Sequence, residues 1–63
     1  MRFRVQFFDR SATMISELTA DARNVASATE LITSEDWPAR AQTMKIIDAD
    51  GREVYFENKV DRR

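Results

Sequence analysis

From Arg2 to Phe8 the residues read Arg, Phe, Arg, Val, Gln, Phe, Phe, a polar and apolar alternation with the period of a half-buried strand. It puts Phe3, Val5 and Phe7 on the inner face. A polar break at Asp9 to Ala12 follows, and Met14 to Thr19 reads as a second strand forming a hairpin with the first. Its register stays open, because Met14, Ser16 and Leu18 share one face while Ile15, Glu17 and Thr19 share the other. Asp21 is placed to cap a helix, its carboxylate accepting from free amides of the first turn and meeting the positive end of the helix dipole. The helix is expected from Ala22 to about Ser34, with Val25, Ala28, Leu31 and Ile32 on one side and Arg23, Ser27, Glu30 and Ser34 on the other. Pro38 disfavours helical geometry at Trp37, so the helix must stop within Ser34, Glu35 and Asp36.

The sharpest signal is the last hairpin. Asp48-Ala49-Asp50-Gly51 fits a type I turn closed by a left-handed residue, the conformation that only Gly adopts without penalty. With Asp48 opposite Arg52, the expected pairs are Ile47 with Glu53, Ile46 with Val54, Lys45 with Tyr55, Met44 with Phe56 and Thr43 with Glu57. Met44, Ile46, Val54 and Phe56 then lie on one face and Lys45 and Tyr55 on the other. Phe8-Asp9-Arg10-Ser11-Ala12 echoes this turn, with Ala12 where the second has Gly, and Ala resists positive φ.

The order strand, strand, helix, strand, strand predicts an α+β domain: a four-stranded antiparallel sheet (ββαββ) with one amphipathic helix packed on one face and the other face open. A single domain over residues 1–57 is expected, followed by a short basic tail over 58–63. Phe7-Phe8-Asp9, the Asp21-Ala22-Arg23 helix start, Asp36-Trp37-Pro38 and Met44-Lys45-Ile46-Ile47-Asp48-Ala49-Asp50-Gly51-Arg52-Glu53 together resemble small uncharacterised alphaproteobacterial proteins. The resemblance spans nearly the whole chain, but its motifs are structural. It implies the fold and no chemistry.

Composition narrows the function classes. The chain has 63 residues, no Cys and no His, one Gly and one Pro. The thiol nucleophile, the thiolate zinc site, the disulfide staple and the commonest general base are therefore all missing. A single Gly excludes a Gly-rich phosphate loop. Carboxylates are abundant, but paired acid and base work needs a cleft that raises one pKa, and one helix on one sheet leaves little room for it. No catalytic residue, cofactor site or metal site is expected, and the chain reads as a non-enzyme. Asp48, Asp50, Gly51 and Glu57 match part of a calcium loop, yet Ile46 stands at the first ligand position and Glu53 where an apolar residue normally docks. A plain hairpin turn is the better reading.

Ten basic against 11 acidic side chains and a pI near 5.3 argue against a dedicated polyanion binder. No apolar run is long enough to span a membrane, and Gln6 and Asp9 interrupt what would be a leader's apolar stretch. A cytoplasmic protein is expected. A domain of this size buries only about 60% of its unfolded surface, which raises the prior for pairing with a partner or a second copy. Phe8, Ile47 and Tyr55, all expected on the open face, form the candidate contact group, and the alternative is that the stems of Lys45 and Arg4 cover them. Trp37, just past the helix, is expected to close the end of the core, with a partly exposed ring as a further contact candidate. The alternative function is weak single-stranded nucleic acid binding by Arg2, Arg4, Arg10 and Phe8, against the reading that these residues are the solvated side of an amphipathic strand.

Overall fold

The computed structural model describes residues 1–59. It contains β1 (Arg2–Phe8), β2 (Met14–Asp21), α1 (Val25–Leu31), a 3-10 turn (Ser34–Asp36), β3 (Thr43–Ile47) and β4 (Glu53–Asn58). The four strands form one antiparallel sheet in the order β2-β1-β3-β4, the expected ββαββ architecture. The sheet runs past the expected domain end, since Asn58 belongs to β4 and the Lys59 amide donates to the Gln42 carbonyl at 2.7 Å. Of the expected tail, residues 60–63 lie outside the described residues.

The two hairpins turn by the same device. In the second, the Gly51 amide donates to the Asp48 carbonyl (3.0 Å), the Asp48 amide donates to the Arg52 carbonyl (2.9 Å), and Gly51 has φ +86. The Asp48 carboxylate oxygen Oδ1 accepts from the amides of Asp50 and Arg52, both at 2.9 Å. In the first, the Ala12 amide donates to the Asp9 carbonyl and the Asp9 amide to the Thr13 carbonyl, both at 3.0 Å. Asp9 Oδ1 accepts from the amides of Ser11 (2.9 Å) and Thr13 (3.0 Å). Ala12 takes the glycine's place at φ 66. The echo between the turns therefore holds, although a Cβ in left-handed geometry costs roughly 1–2 kcal/mol.

Each hairpin also carries a bulge at the same place. Phe8 faces Met14 and Phe7 faces Ser16, so Ile15 is an extra residue in β2. Ile47 faces Glu53 as expected, but Ile46 faces Tyr55, so Val54 is an extra residue in β4. Beyond the bulge the expected register is one residue out. Lys45 faces Phe56, Met44 faces Glu57 and Thr43 faces Asn58. The gain is local: Ile15 and Leu18 on β2, and Val54 and Tyr55 on β4, all pack against the core, which an unbroken alternation would not allow. The open register of the second strand is resolved in the same way, because the bulge lets apolar residues of both parities turn inward.

The β1–β3 ladder relates the two halves. Its pairs are Arg4 with Ile47, Val5 with Ile46, Gln6 with Lys45, Phe7 with Met44 and Phe8 with Thr43. Replacing each residue by its equivalent in the other hairpin, as Asp9 corresponds to Asp48, turns Arg4–Ile47 into Thr43–Phe8 and Val5–Ile46 into Met44–Phe7. Gln6–Lys45 maps onto itself. The sheet thus has an approximate two-fold axis through the Gln6–Lys45 pair.

The helix between the hairpins breaks this symmetry. It begins later than the sequence suggested, because Asp21 remains in the ladder opposite Arg2 and Asn24 is the cap. Asn24 is extended (φ −156, ψ 179) and its Oδ1 accepts from the Ser27 amide at 2.8 Å. Only 7 residues are helical, so α1 depends on packing for its stability. Ala28 is fully buried and Val25 and Ile32 pack on the core. Leu31, expected on the inner side, is 54% exposed. The helix ends at Leu31, and Ile32, already extended (φ −96, ψ 115), turns inward by a route that the helical wheel does not describe. The next turn is closed by Asp36, whose Oδ2 accepts from the Thr33 amide (2.8 Å) and hydroxyl (3.2 Å).

The core is the inner layer of β1 and its neighbours. Phe3, Val5 and Phe7 are 1%, 0% and 0% exposed, joined by Ala20, Ala28, Ala41, Met44 and Ile46. Trp37 closes one end, its ring edge-to-face with Phe7 at a centroid distance of 5.5 Å.

The matched turns generate a paired prediction. No atom lies within 4 Å of a Cβ built on Gly51, so Gly51→Ala meets only the backbone penalty. It should cost about 0.5–1 kcal/mol, and Ala12→Gly should gain a similar amount after the added freedom of Gly in the unfolded chain is deducted. At roughly 4–8 °C per kcal/mol, thermal melts should show the two variants moving in opposite directions. A fall in melting temperature for Ala12→Gly would show that the Ala12 turn is not strained.

Candidate functional site

The register decides what the open face carries. Across β2, β1, β3 and β4 its rows are Thr19, Arg4, Ile47 and Glu53, then Glu17, Gln6, Lys45 and Phe56, then Met14, Phe8, Thr43 and Asn58, with Asp21 and Arg2 beyond the first row. Phe8 and Ile47 are on this face as expected. Tyr55 is not. The bulge at Val54 sends it to the inner side, opposite Ile46 and against the core, and puts Phe56 on the open face instead. Trp37 also belongs to the inner layer through Phe7 and cannot share a patch with Phe8 and Ile47.

The corrected apolar group is Met14, Phe8 and Phe56, with Ile47 one row from Phe56 and two from Phe8 and Met14. Met14 is 49% and Phe56 51% exposed, while Phe8 is half-buried. Lys45 lies over the Phe8 ring, its Nζ 5.0 Å from the centroid, and pairs with Glu53 at 3.5 Å. For Phe8, then, covering by a lysine is what the structure shows. Phe56 and Met14 keep half their surface in the open. Much of the polar complement is matched internally: Gln6 Nε2 donates to Glu17 Oε2 at 2.9 Å, and the Thr43 hydroxyl donates to Asn58 Oδ1 at 2.8 Å. A shallow groove of about 260 Å³ runs between Phe8, Lys45 and Phe56 toward Arg10.

The residues of the nucleic-acid alternative separate into two places. Arg2 and Arg4 sit at one end of β1, with Asp21 and Glu53 on the same face. Arg10 is in the first turn, at the other end. There it lines a second hollow of about 410 Å³ together with Asp9, Arg40, Gln42 and Lys59. Arg40 and Lys59 are distant from Arg10 in sequence, and no local pattern links them. Phe56 and Met14 escape a sequence reading for another reason, since only the bulges reveal their face.

The acidic turn is committed to folding. Asp48 holds two amides, and Glu57 lies on the inner side of β4, where its Oε1 accepts from the Tyr55 hydroxyl at 2.9 Å. Among the described residues no three acidic side chains come together as a metal site, and no helix is long and apolar enough to cross a membrane. Compared with protein-family profiles, with curated proteins and with solved structures, the chain matches none.

The Tyr55–Glu57 pair has a measurable consequence. Donation to the carboxylate favours the neutral phenol, and partial burial and the negative charge of Glu57 act in the same direction, so the Tyr55 pKa is raised above 10.0. Because the folded value is the higher one, the stabilisation is fully present below the ordinary phenol pKa and is lost as pH rises through the folded value. An ultraviolet titration should place the Tyr55 midpoint above 10.0, and Glu57→Gln should bring it back down. An unmoved midpoint in Glu57→Gln would show that the pair does not form.

Proposed function

We propose that this chain is a small non-enzymatic interaction module that docks through its open sheet face, with a second copy of itself as the simplest partner. The observation that carries this is the half-exposed pair Phe56 and Met14, flanking Phe8 on a face that has no covering layer among the described residues. Aromatic and methionine side chains of this kind are enriched at the centres of protein contacts. The charge on the same face supports a like partner: Arg2, Arg4 and Lys45 stand against Asp21, Glu17 and Glu53. A face with both signs in equal number can complement its own copy across a two-fold axis, whereas a polyanion would meet repulsion as well as attraction. A cytoplasmic location and kinship with small alphaproteobacterial proteins belong to this same reading.

Sedimentation or light scattering over a wide concentration range should show a reversible monomer–dimer equilibrium. Phe56→Ser should shift it toward monomer by about tenfold, the scale of an exposed aromatic contact, with little change in the monomer's melting temperature. A strict monomer at millimolar concentration, with Phe56 resonances that do not move on dilution, would rule out self-association through this face.

A further inference from the structure

We propose that the hollow between the first turn, the segment leading into β3 and the end of β4 binds the phosphate group of a ligand. Among the described residues that line it are three cationic ones, Arg10, Arg40 and Lys59, and one acid, Asp9. Asp9 Oδ1 is already engaged by the amides of Ser11 and Thr13, so that carboxylate is held as part of the turn. Among the described residues, none of the three cations makes an ion pair. On the open face opposite charges stand in equal number, whereas among the described residues three cations here meet one carboxylate. Two guanidinium groups offer planar forks of donors that suit a tetrahedral oxyanion, and a lysine adds a point charge.

The backbone around the hollow is fixed from several sides. The Gln42 amide donates to the Phe8 carbonyl (2.7 Å), the Lys59 amide to the Gln42 carbonyl (2.7 Å), and the Ala41 amide to the Pro38 carbonyl (3.0 Å). The Gln42 side chain reaches the Lys59 carbonyl at 3.2 Å. Arg10 is carried by the carboxylate-closed turn, so the three cations are mounted on segments that hydrogen bonds hold together. At about 410 Å³ the hollow is in the size range of small-ligand sites. It adjoins the groove beside Phe8 and Phe56, with which it shares Asp9, Arg10 and Gln42, but its cations Arg40 and Lys59 do not line that groove.

Two sources would supply such a group: a free phosphate compound or a phosphodiester of a single strand. The test monitors amide and arginine Nε–H signals during titration with inorganic phosphate and pyrophosphate, ionic strength being held constant with chloride. Saturable shifts at Arg10, Arg40, Gln42 and Lys59 are expected, with pyrophosphate the tighter ligand. Arg40→Gln should weaken pyrophosphate by roughly tenfold, the loss of one charge-assisted contact, without altering the melting temperature. A short oligothymidylate then assigns the source. Competition for the same signals identifies a phosphodiester, and saturation by pyrophosphate alone identifies a free phosphate. Shifts no larger than chloride produces, or unchanged affinity in Arg40→Gln, would overturn the site.

Discussion

A carboxylate that holds two backbone amides is the interaction on which the rest of this small fold depends. At Asp9 and again at Asp48 it fixes a tight loop, forces positive φ on the residue that closes it, and starts the return strand at a set position. The bulge comes next, at Ile15 and at Val54, and each later residue of β2 and β4 inherits its face from that offset. Register is a strict constraint in a sheet, since a slip of one residue exchanges the two faces. With no disulfide and a short helix, the turns take over much of the task of specifying which side is inside.

Their repetition explains the shape of the sheet. Two hairpins with the same turn and bulge pair through their first strands, so β1 and β3 become central and β2 and β4 become edges. Edge strands invite unwanted pairing, and a bulge twists an edge away from a flat template. Here each edge strand has one. The symmetry stops after β2, where Asn24 starts a helix that covers the inner layer, and no second helix follows β4 among the described residues. Tyr55 and Val54 are accordingly half-buried, while Phe3, Val5 and Phe7 on β1, with a strand on both sides, are closed off from solvent.

Much of this was legible in the chain itself. β1 has the bounds that its alternation predicts, the Asp48–Gly51 turn is as read, and the ββαββ order and the inner face of β1 stand. The errors in the last hairpin share one physical source, which is that local pattern does not reveal an extra residue in a ladder. A regular alternation from Glu53 assigns Tyr55 to the open face and Phe56 to the core, and one bulge reverses both. The helix start was misplaced because Asp21 and Asn24 are comparable caps, and the ladder partner that keeps Asp21 in β2, Arg2, is far away in sequence. Leu31 fits the apolar stripe of a longer helix but meets solvent at the end of a short one. The cationic hollow was beyond reach for a related reason: Arg10, Arg40 and Lys59 come from three segments that only the folded sheet brings together.

The two turns differ in a way that bears on where the molecule accepts strain. Their hydrogen bonds match, yet the turn with Gly51 relaxes into positive φ while the turn with Ala12 is held there against its preference. Strained backbone persists only where the surroundings over-determine it. The first turn has such surroundings. The β1 carbonyl at Phe8 is tied to Gln42, and Gln42 is tied in turn to Lys59. The second turn projects beyond the sheet with nothing within 4 Å of the Cβ position of Gly51. Alanine explores far less backbone space than glycine, so the turn that presents Arg10 is the stiffer of the pair. The penalty at Ala12 thus falls in a turn that lines the hollow, and a residue that looks like a poor choice for folding limits how far the segment carrying Arg10 can relax.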